Sequence, residues 1–494
     1  MWATPRFSEF TGPFKVGTID VEIPVSDLDA PSSSGVSQVE IKTVHYRVFY
    51  PCEPGPIDKH TNWLPHPQHL YLGAYSRFLG IGSTVASYLS YIPNPLSWIK
   101  IPAYENAPIT KPNTPTKQWP VMIFSHGLGG TRNAYSFLAG SIASYGMVVV
   151  APEHRDGSAP ISFVRHISEE AAIDKPTAEI LEDTVDYIHL SHVSSHPVET
   201  GRNNQLKIRL RELGLIFDSL LKINQGISIR NLAPSHFPLH SLKSMMDVET
   251  PGKITFTGHS FGAATVVQFV KSVFYAPQAF QAPSDNENLF EPSASSTIVK
   301  QINAQTPIIL LDVWCLPLRA KTTRWLWNLP FPSYSDNSYT GGDTLLAIES
   351  HAFYKWEDHL KTTKQLLSPD PALSTRHSYL KSNNSPWSVP YFYYAENSAH
   401  ISHSDFGLLF PWVTKKILGC KEPERLMGLQ VRAILQFLRE QKVPIAPTSA
   451  LYTDSEKIKK NEGDEIFNDD KLILGSEKKV RGWVRINLNL DESV

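Results

Sequence analysis

From Pro120 onward, short apolar runs alternate with longer amphipathic stretches. Val121-Met122-Ile123-Phe124 is one such run and ends in Ser-His-Gly-Leu-Gly-Gly. A helix-like stretch from Tyr135 to Tyr145 follows, then a second apolar run from Met147 to Ala151. Apolar runs without polar alternation predict strands buried on both faces, and strand–helix alternation predicts a parallel sheet built by right-handed crossovers. The alternation is interrupted over 156–250, where Leu206, Leu210, Leu213, Phe217, Leu220 and Leu221 fall on one helical stripe. That stripe predicts a helix packed on the body, and it is compatible with a lid lining a substrate entrance. The pattern then resumes with a strand at Lys253–Thr257, a helix at Ala263–Phe274 and strands at Pro307–Leu311 and Leu345–Ile348. A helix around Trp356–Leu367, a strand at Pro390–Tyr394 and an amphipathic helix carrying Met427, Val431, Ile434, Leu435 and Leu438 complete it.

The two ends differ from this middle. Residues 1 to about 60 predict an edge hairpin or meander: Val39–Tyr50 is rich in β-branched and aromatic residues, and Ser32–Gly35 marks a turn before it. Residues 60–118 show little periodicity. From about Val443 the chain turns polar, so 446–494 is expected to be a largely disordered tail with a short strand near Val484. The prediction is one α/β catalytic domain over 1–445, with a mostly parallel sheet and helices on both faces.

Composition narrows the function. A net charge of −2 supplies no field favouring nucleic acid or an anionic surface. The three cysteines, Cys52, Cys315 and Cys420, lack the spacing of a disulfide scaffold or a zinc site, so no metal and no cofactor is expected. No basic segment followed by an apolar run opens the chain, and the longest uncharged run, Phe78 to Ile99, is broken by Pro93 and Pro95. A cytoplasmic protein, at most peripheral on membranes, is the expectation.

The chemistry is carried by Gly258-His259-Ser260-Phe261-Gly262. A serine hydroxyl is a poor nucleophile at neutral pH and needs a base in reach and a fixed, exposed position. The G-x-S-x-G turn provides the position when it joins a strand to a helix, the context that Ile254–Thr257 and Ala263–Val267 predict here. This is the nucleophile turn of an α/β-hydrolase, with Ser260 as nucleophile. One oxyanion donor is then the backbone N–H of Phe261. The other comes from the glycine-rich loop His126–Gly130, with Leu128 as the chosen donor and His126 as a structural residue.

The acid and base follow the nucleophile in chain order. Asp312 closes the strand Pro307–Leu311, while Asp343 and Glu349 flank the next strand as rivals. His400 lies shortly after Pro390–Tyr394, with His403 as its competitor.

These residues resemble the platelet-activating-factor acetylhydrolases of the plasma and cytosolic type, the group VII phospholipases A2. The likeness is carried by Phe124–Gly129, by Glu153-His154-Arg155-Asp156 with Ser158-Ala159, by Gly258–Thr265, by Leu311–Trp314 with Pro317-Leu318, and by His400 with Asp405-Phe406. Gly12-Pro13-Phe14 with Val16-Gly17 also fits, so the likeness spans roughly 10 to 440. It favours Asp312 over Glu349 and His400 over His403. It implies calcium-independent hydrolysis of the sn-2 acetyl or short, oxidised acyl ester of phospholipids through an acyl-enzyme. Two departures stand out: an insertion over 319–343 containing Trp325-Leu326-Trp327 and Phe331-Pro332, and the polar tail. The insertion lies near the expected acid and bears on substrate choice.

A phospholipid substrate requires contact with an interface. Val85–Ile99, with Tyr91, Leu96 and Trp98, and the Trp325–Trp327 segment are the expected contacts, burial in the core being the alternative. Two other functions remain compatible with the sequence. One is a generic carboxylesterase or polyester hydrolase of the same fold, and the other is a non-catalytic lipid-binding protein.

Overall fold

The computed structural model describes residues 5–29, 41–80, 82, 95–167, 180–235, 237–279, 286–293, 296–335, 341–372, 388–447, 473–475 and 480–488. The strands are β1 (Lys15–Pro24), β2 (Thr43–Cys52), β3 (His60–Asn62), β4 (Lys100–Glu105), β5 (Val121–Ser125), β6 (Val148–Pro152), β7 (Ile161–Ile167) and β8 (Ile180–Asp186). They continue with β9 (Thr255–His259), β10 (Ile308–Leu311), β11 (Leu345–Ser350), β12 (Tyr391–Ala395) and β13 (Trp483–Arg485). The main sheet has the order β13-β12-β11-β10-β9-β5-β6-β2-β1-β4-β3, and β7 and β8 form a separate antiparallel pair. From β6 through β5, β9, β10 and β11 to β12 every pairing is parallel. The fold is α/β, of the α/β-hydrolase type.

The main helices are α1 (Gln68–Phe78), α2 (Ser136–Ala143), α3 (His196–Gln225), α4 (Phe261–Phe274), α5 (Glu357–Leu366), α6 (Pro411–Leu418) and α7 (Pro423–Glu440). The period of two along each strand divides the core. Val121, Ile123, Phe256, Ile308 and Leu310 face the layer of α3 and α4, while Met122, Phe124, Ile309, Leu311 and Leu346 face that of α2 and α7. The predicted stripe on α3 lies in the first layer: Leu206, Leu210, Leu213, Phe217 and Leu220 are buried and Leu221 is partly buried. The helix starts with proline in its first turn and stops at Gly226 in the left-handed conformation, φ 77°.

Several expectations change. The β1–β2 hairpin is not the edge, because β4 and β3 lie outside it. Those strands come from 60–118, where alternation is masked by aromatic residues and prolines. The Ser32–Gly35 turn and the first residues of Val39–Tyr50 lie outside the described residues, as does Val85–Asn94. The nucleophile helix begins at Phe261 rather than Ala263. In the 319–343 insertion Leu326, Trp327 and Phe331 are buried and Trp325 is only partly exposed, so the Trp325–Trp327 segment is core rather than a lipid contact. It docks on α4 and its C-cap: Lys271 Nζ donates to the carbonyl of Leu329 at 2.6 Å, and Tyr275 Oη, just past the helix, donates to that of Pro330 at 3.0 Å. At the other end, β13 pairs antiparallel with β12, and Ile473, Leu474, Trp483 and Ile486 are buried.

Candidate active site

The site sits where the strand order reverses. β5 is followed by β6 on one side and by β9 on the other, the switch point at which open α/β sheets place their ligands, at the carboxyl ends of β5 and β9. Ser260 stands directly after β9 with φ 56° and ψ −117°, a conformation a non-glycine residue adopts only when its surroundings enforce it. A Cβ at Gly258 would collide with the Gly262 carbonyl, and one at Gly262 with the carbonyl of Ser125, so both flanking glycines are required by close approach. Tight packing of β5 against the turn therefore fixes Ser260 at its apex.

Asp312 follows β10 and is fully buried, also at positive φ, 44°. Ser350 N–H donates to its Oδ1 at 2.5 Å and His400 Nδ1 to its Oδ2 at 2.8 Å. Burial alone would raise its pKa, but the imidazoles of His403 and His400 outweigh it and hold it well below the usual carboxylate range. As an ionised acceptor, Asp312 leaves His400 with its proton on Nδ1 and with Nε2 free. The His400 ring packs against Phe353 at 4.5 Å with a 4° interplanar angle and lies 4.4 Å from the ring of His259, the residue before Ser260. The Ser260 hydroxyl forms no hydrogen bond with the described residues.

The rivals are placed elsewhere or differently. Asp343 precedes β11 and so lies at the opposite end of the strands from Ser260. Glu349 ends β11 beside Asp312 and is buried. Desolvation, and then the charge of Asp312, pushes its pKa well up, which disfavours the ionised form a triad acid needs. His403 Nε2 lies 3.5 Å from Asp312 Oδ2, but its Nδ1 is held by Gln430 Oε1 at 2.9 Å and its ring is buried, whereas the His400 side chain is 34% exposed.

The two expected backbone donors sit at the carboxyl ends of β5 and β9, Leu128 in the loop after β5 and Phe261 directly after Ser260. Among the described residues neither the Leu128 nor the Phe261 N–H has an acceptor. Their neighbours are committed: Gly127 N–H to Tyr135 Oη at 3.2 Å and Gly129 N–H to Ser158 O at 2.8 Å. His126 is buried, and desolvation followed by the charge of Arg209 keeps it neutral. Its Nε2 accepts from His154 N–H at 3.1 Å, which fits a structural role.

Sequence reasoning missed the framework behind the loop. Arg209 of α3 donates to His126 O at 2.8 Å and Asp156 Oδ2 at 2.7 Å, and its guanidinium lies 4.5 Å from the Phe261 ring centroid. His154 Nδ1 meets Glu212 Oε2 at 2.7 Å, and its Nε2 meets Ser125 Oγ at 2.8 Å. The signal was present: Arg202, Arg209 and Glu212 lie on the buried side of a helix whose stripe is otherwise leucine.

The fold and this strand-end arrangement define the class as an α/β-hydrolase. The profile of the family "Platelet-activating factor acetylhydrolase, isoform II" matches residues 3–446, and the chain belongs to that family. It is similar to a Schizosaccharomyces pombe protein named "Putative phospholipase A2", 28% identical over 88% of this chain and 92% of the other. It is also similar to the platelet-activating factor acetylhydrolases of Canis lupus familiaris and Bos taurus, each 30% identical; each match covers 46% of this chain and 46% of the relative. The match thus spans about half the length of those two relatives. A ferulic acid esterase from Streptomyces cinnamoneus superimposes with a TM-score of 0.45 at 14% identity, over 88% of this chain and 92% of its own. Membership makes the chain a hydrolase of esterase type. No helix among the described residues is long and apolar enough to cross a membrane.

Proposed function

We propose that the protein hydrolyses the sn-2 acetyl or short, oxidised acyl ester of phospholipids through an acyl-enzyme on Ser260. The observation that carries this reading is the buried, ionised Asp312 at 2.8 Å from His400 Nδ1, beside a strained serine at the sheet's switch point. His400 Nε2 takes the Ser260 proton as Oγ attacks the ester carbonyl, and Asp312 steadies the resulting imidazolium. The Leu128 and Phe261 N–H groups hold the oxyanion. Collapse expels the lysophospholipid, which leaves with the proton from His400. Water activated by the same imidazole then releases the short acid. Each role is filled by a side chain or a backbone N–H, so the reaction needs no calcium. Family membership supports the choice of ester.

Contact with a phospholipid surface is assigned to α6, which begins just past His400. Trp412, Ile417 and Leu418 are 59%, 72% and 45% exposed, and Lys415 and Lys416 add positive charge beside them. Exposed apolar residues flanked by lysines suit the headgroup region. Trp98 is a further exposed aromatic side chain.

The test is a rate series over phospholipids of increasing sn-2 chain length, with Ser260→Ala and a calcium chelator as controls. The expected result is a rate that falls with chain length, resists chelation and vanishes in Ser260→Ala. Hydrolysis of aryl esters with no phospholipid turnover would leave a generic carboxylesterase. Failure of folded protein to label with a fluorophosphonate would leave a lipid-binding protein.

A further inference from the structure

One hydroxyl joins the two halves of this site. Tyr135, buried at the entrance of α2, receives the Gly127 N–H at 3.2 Å and lies 2.7 Å from His259 Nδ1. A tyrosine hydroxyl has one proton. The Gly127 amide can only donate, so the hydroxyl oxygen accepts there; among the described residues His259 Nδ1 is its one other hydrogen-bond partner, and the buried hydroxyl proton is satisfied only if that nitrogen accepts it. That nitrogen is therefore an acceptor, and the imidazole proton resides on Nε2.

The second link is charge. The His259 ring is buried, 4.4 Å from the ring of His400 and 5.3 Å from that of His403. One of its nitrogens lies within 4.8 Å of an Asp312 oxygen and a His400 nitrogen. Its Nε2 has no hydrogen-bond partner among the described residues. A second proton on His259 would set a cation against the imidazolium that His400 must become in turnover. Burial, and then the two neighbouring histidines, already disfavour that proton, and a donor aimed at Nδ1 occupies the place it would take.

The same contact sets the oxyanion loop. A Cβ on Gly127 would lie 3.1 Å from both the His259 carbonyl and the Ser260 Cβ, so loop and turn are in near contact. Tyr135 thus holds the peptide on one side of Gly127, and His126 Nδ1, 2.9 Å from the Gly127 carbonyl, holds the peptide on the other side, which carries the Leu128 N–H.

We propose that Tyr135 is a positioning residue of the hydrolysis: its hydroxyl holds His259 as the neutral Nε2–H tautomer and ties the oxyanion loop to the nucleophile turn. This rests on Ser260, His400 and Leu128 acting as proposed above. Tyr135→Phe removes both hydrogen bonds and keeps the ring that packs 4.8 Å from Phe124. The expected result is a kcat lower by about 10- to 10²-fold, with KM changed by less than about twofold because substrate binding is untouched. Nitrogen-15 NMR of the imidazoles should find His259 protonated on Nε2 alone in the native protein and in mixed tautomers in the variant. A native kcat in Tyr135→Phe, a loss confined to KM, or a native His259 protonated on Nδ1 would overturn the inference.

A second pair of variants guards against misfolding. His259→Gln keeps an acceptor for Tyr135 and His259→Leu does not, so kcat should be higher in Gln than in Leu. Equal values overturn the inference. Ser260→Ala separates the two levels. If it retains turnover, the proposed function fails. If it is inactive while Tyr135→Phe is unchanged, only the role of Tyr135 fails.

Discussion

Arg209 reaches from the middle of α3 to the carbonyl oxygen of His126, 2.8 Å away, and so links the helical insertion to the loop that offers the Leu128 N–H. The same guanidinium pairs with Asp156 and donates to Ser158 Oγ at 2.5 Å, and Ser158 O in turn holds the Gly129 N–H. Arg209→Met strands the Asp156 carboxylate in the core, at a cost of about 3–5 kcal/mol. Adding Asp156→Asn removes the unpaired charge and should restore most of that stability in urea titrations. Turnover should stay low in the double variant, because the hold on His126 is still missing. Recovery of both together would show that Arg209 acts only through stability.

His400 and His403 both face Asp312, but only His400 combines a short hydrogen bond with an exposed edge. His400→Gln should reduce kcat by on the order of 10⁴-fold or more. His403→Gln should cost about tenfold or less, because it disturbs Asp312 without removing the base. Asp312→Asn should fall by on the order of 10⁴-fold, since an amide no longer dictates the His400 tautomer. Loss of activity in His403→Gln with His400→Gln active would reverse the assignment.

The strand rows were legible because β5, β6, β10 and β11 are short, largely apolar runs that only a sheet covered on both faces can bury, while β9, Thr-Phe-Thr-Gly-His, was marked by the glycine turn at its end. The positions of Ser260, Asp312 and His400 were legible for a related reason: each follows a strand, directly or after a short loop. β3 and β4 were not, because Tyr104 and His60 pair aromatic rings across strands that carry no alternation. Tyr135 was also hidden. Its hydroxyl matters only because α2 brings it to His259, 124 residues away in the chain, and no local pattern encodes that meeting.

Glu22 gives a stability prediction with a definite sign. Burial would raise its pKa, but His45 and Arg155 and hydrogen bonds from Arg165 and Thr43 bring it down to about 2. A depressed carboxylate contributes stability above its unfolded value, near 4.5, and loses it as pH falls toward 2. The contribution is about 3 kcal/mol at neutral pH. Glu22→Gln should therefore be less stable than the native chain at pH 7, and the gap should close on acidification through this window. A gap independent of pH would mean that packing, not charge, accounts for the loss.

The exposed side chains of α6 should govern adsorption without touching chemistry. Trp412 carries the Lys416 ammonium 4.9 Å from its ring centroid, and Ile417 and Leu418 are exposed near the end of the helix. Each apolar side chain entering the headgroup boundary contributes on the order of 1 kcal/mol. Trp412→Ala with Ile417→Ser and Leu418→Ser should thus weaken vesicle partitioning by on the order of 10²-fold. Attraction of Lys415 and Lys416 to anionic lipid should make the remaining binding sensitive to salt. Turnover of a soluble aryl ester should be unchanged, since none of these side chains reaches Ser260, Asp312 or His400. Equal loss on vesicles and on the soluble ester would mean that α6 instead supports the fold around His400.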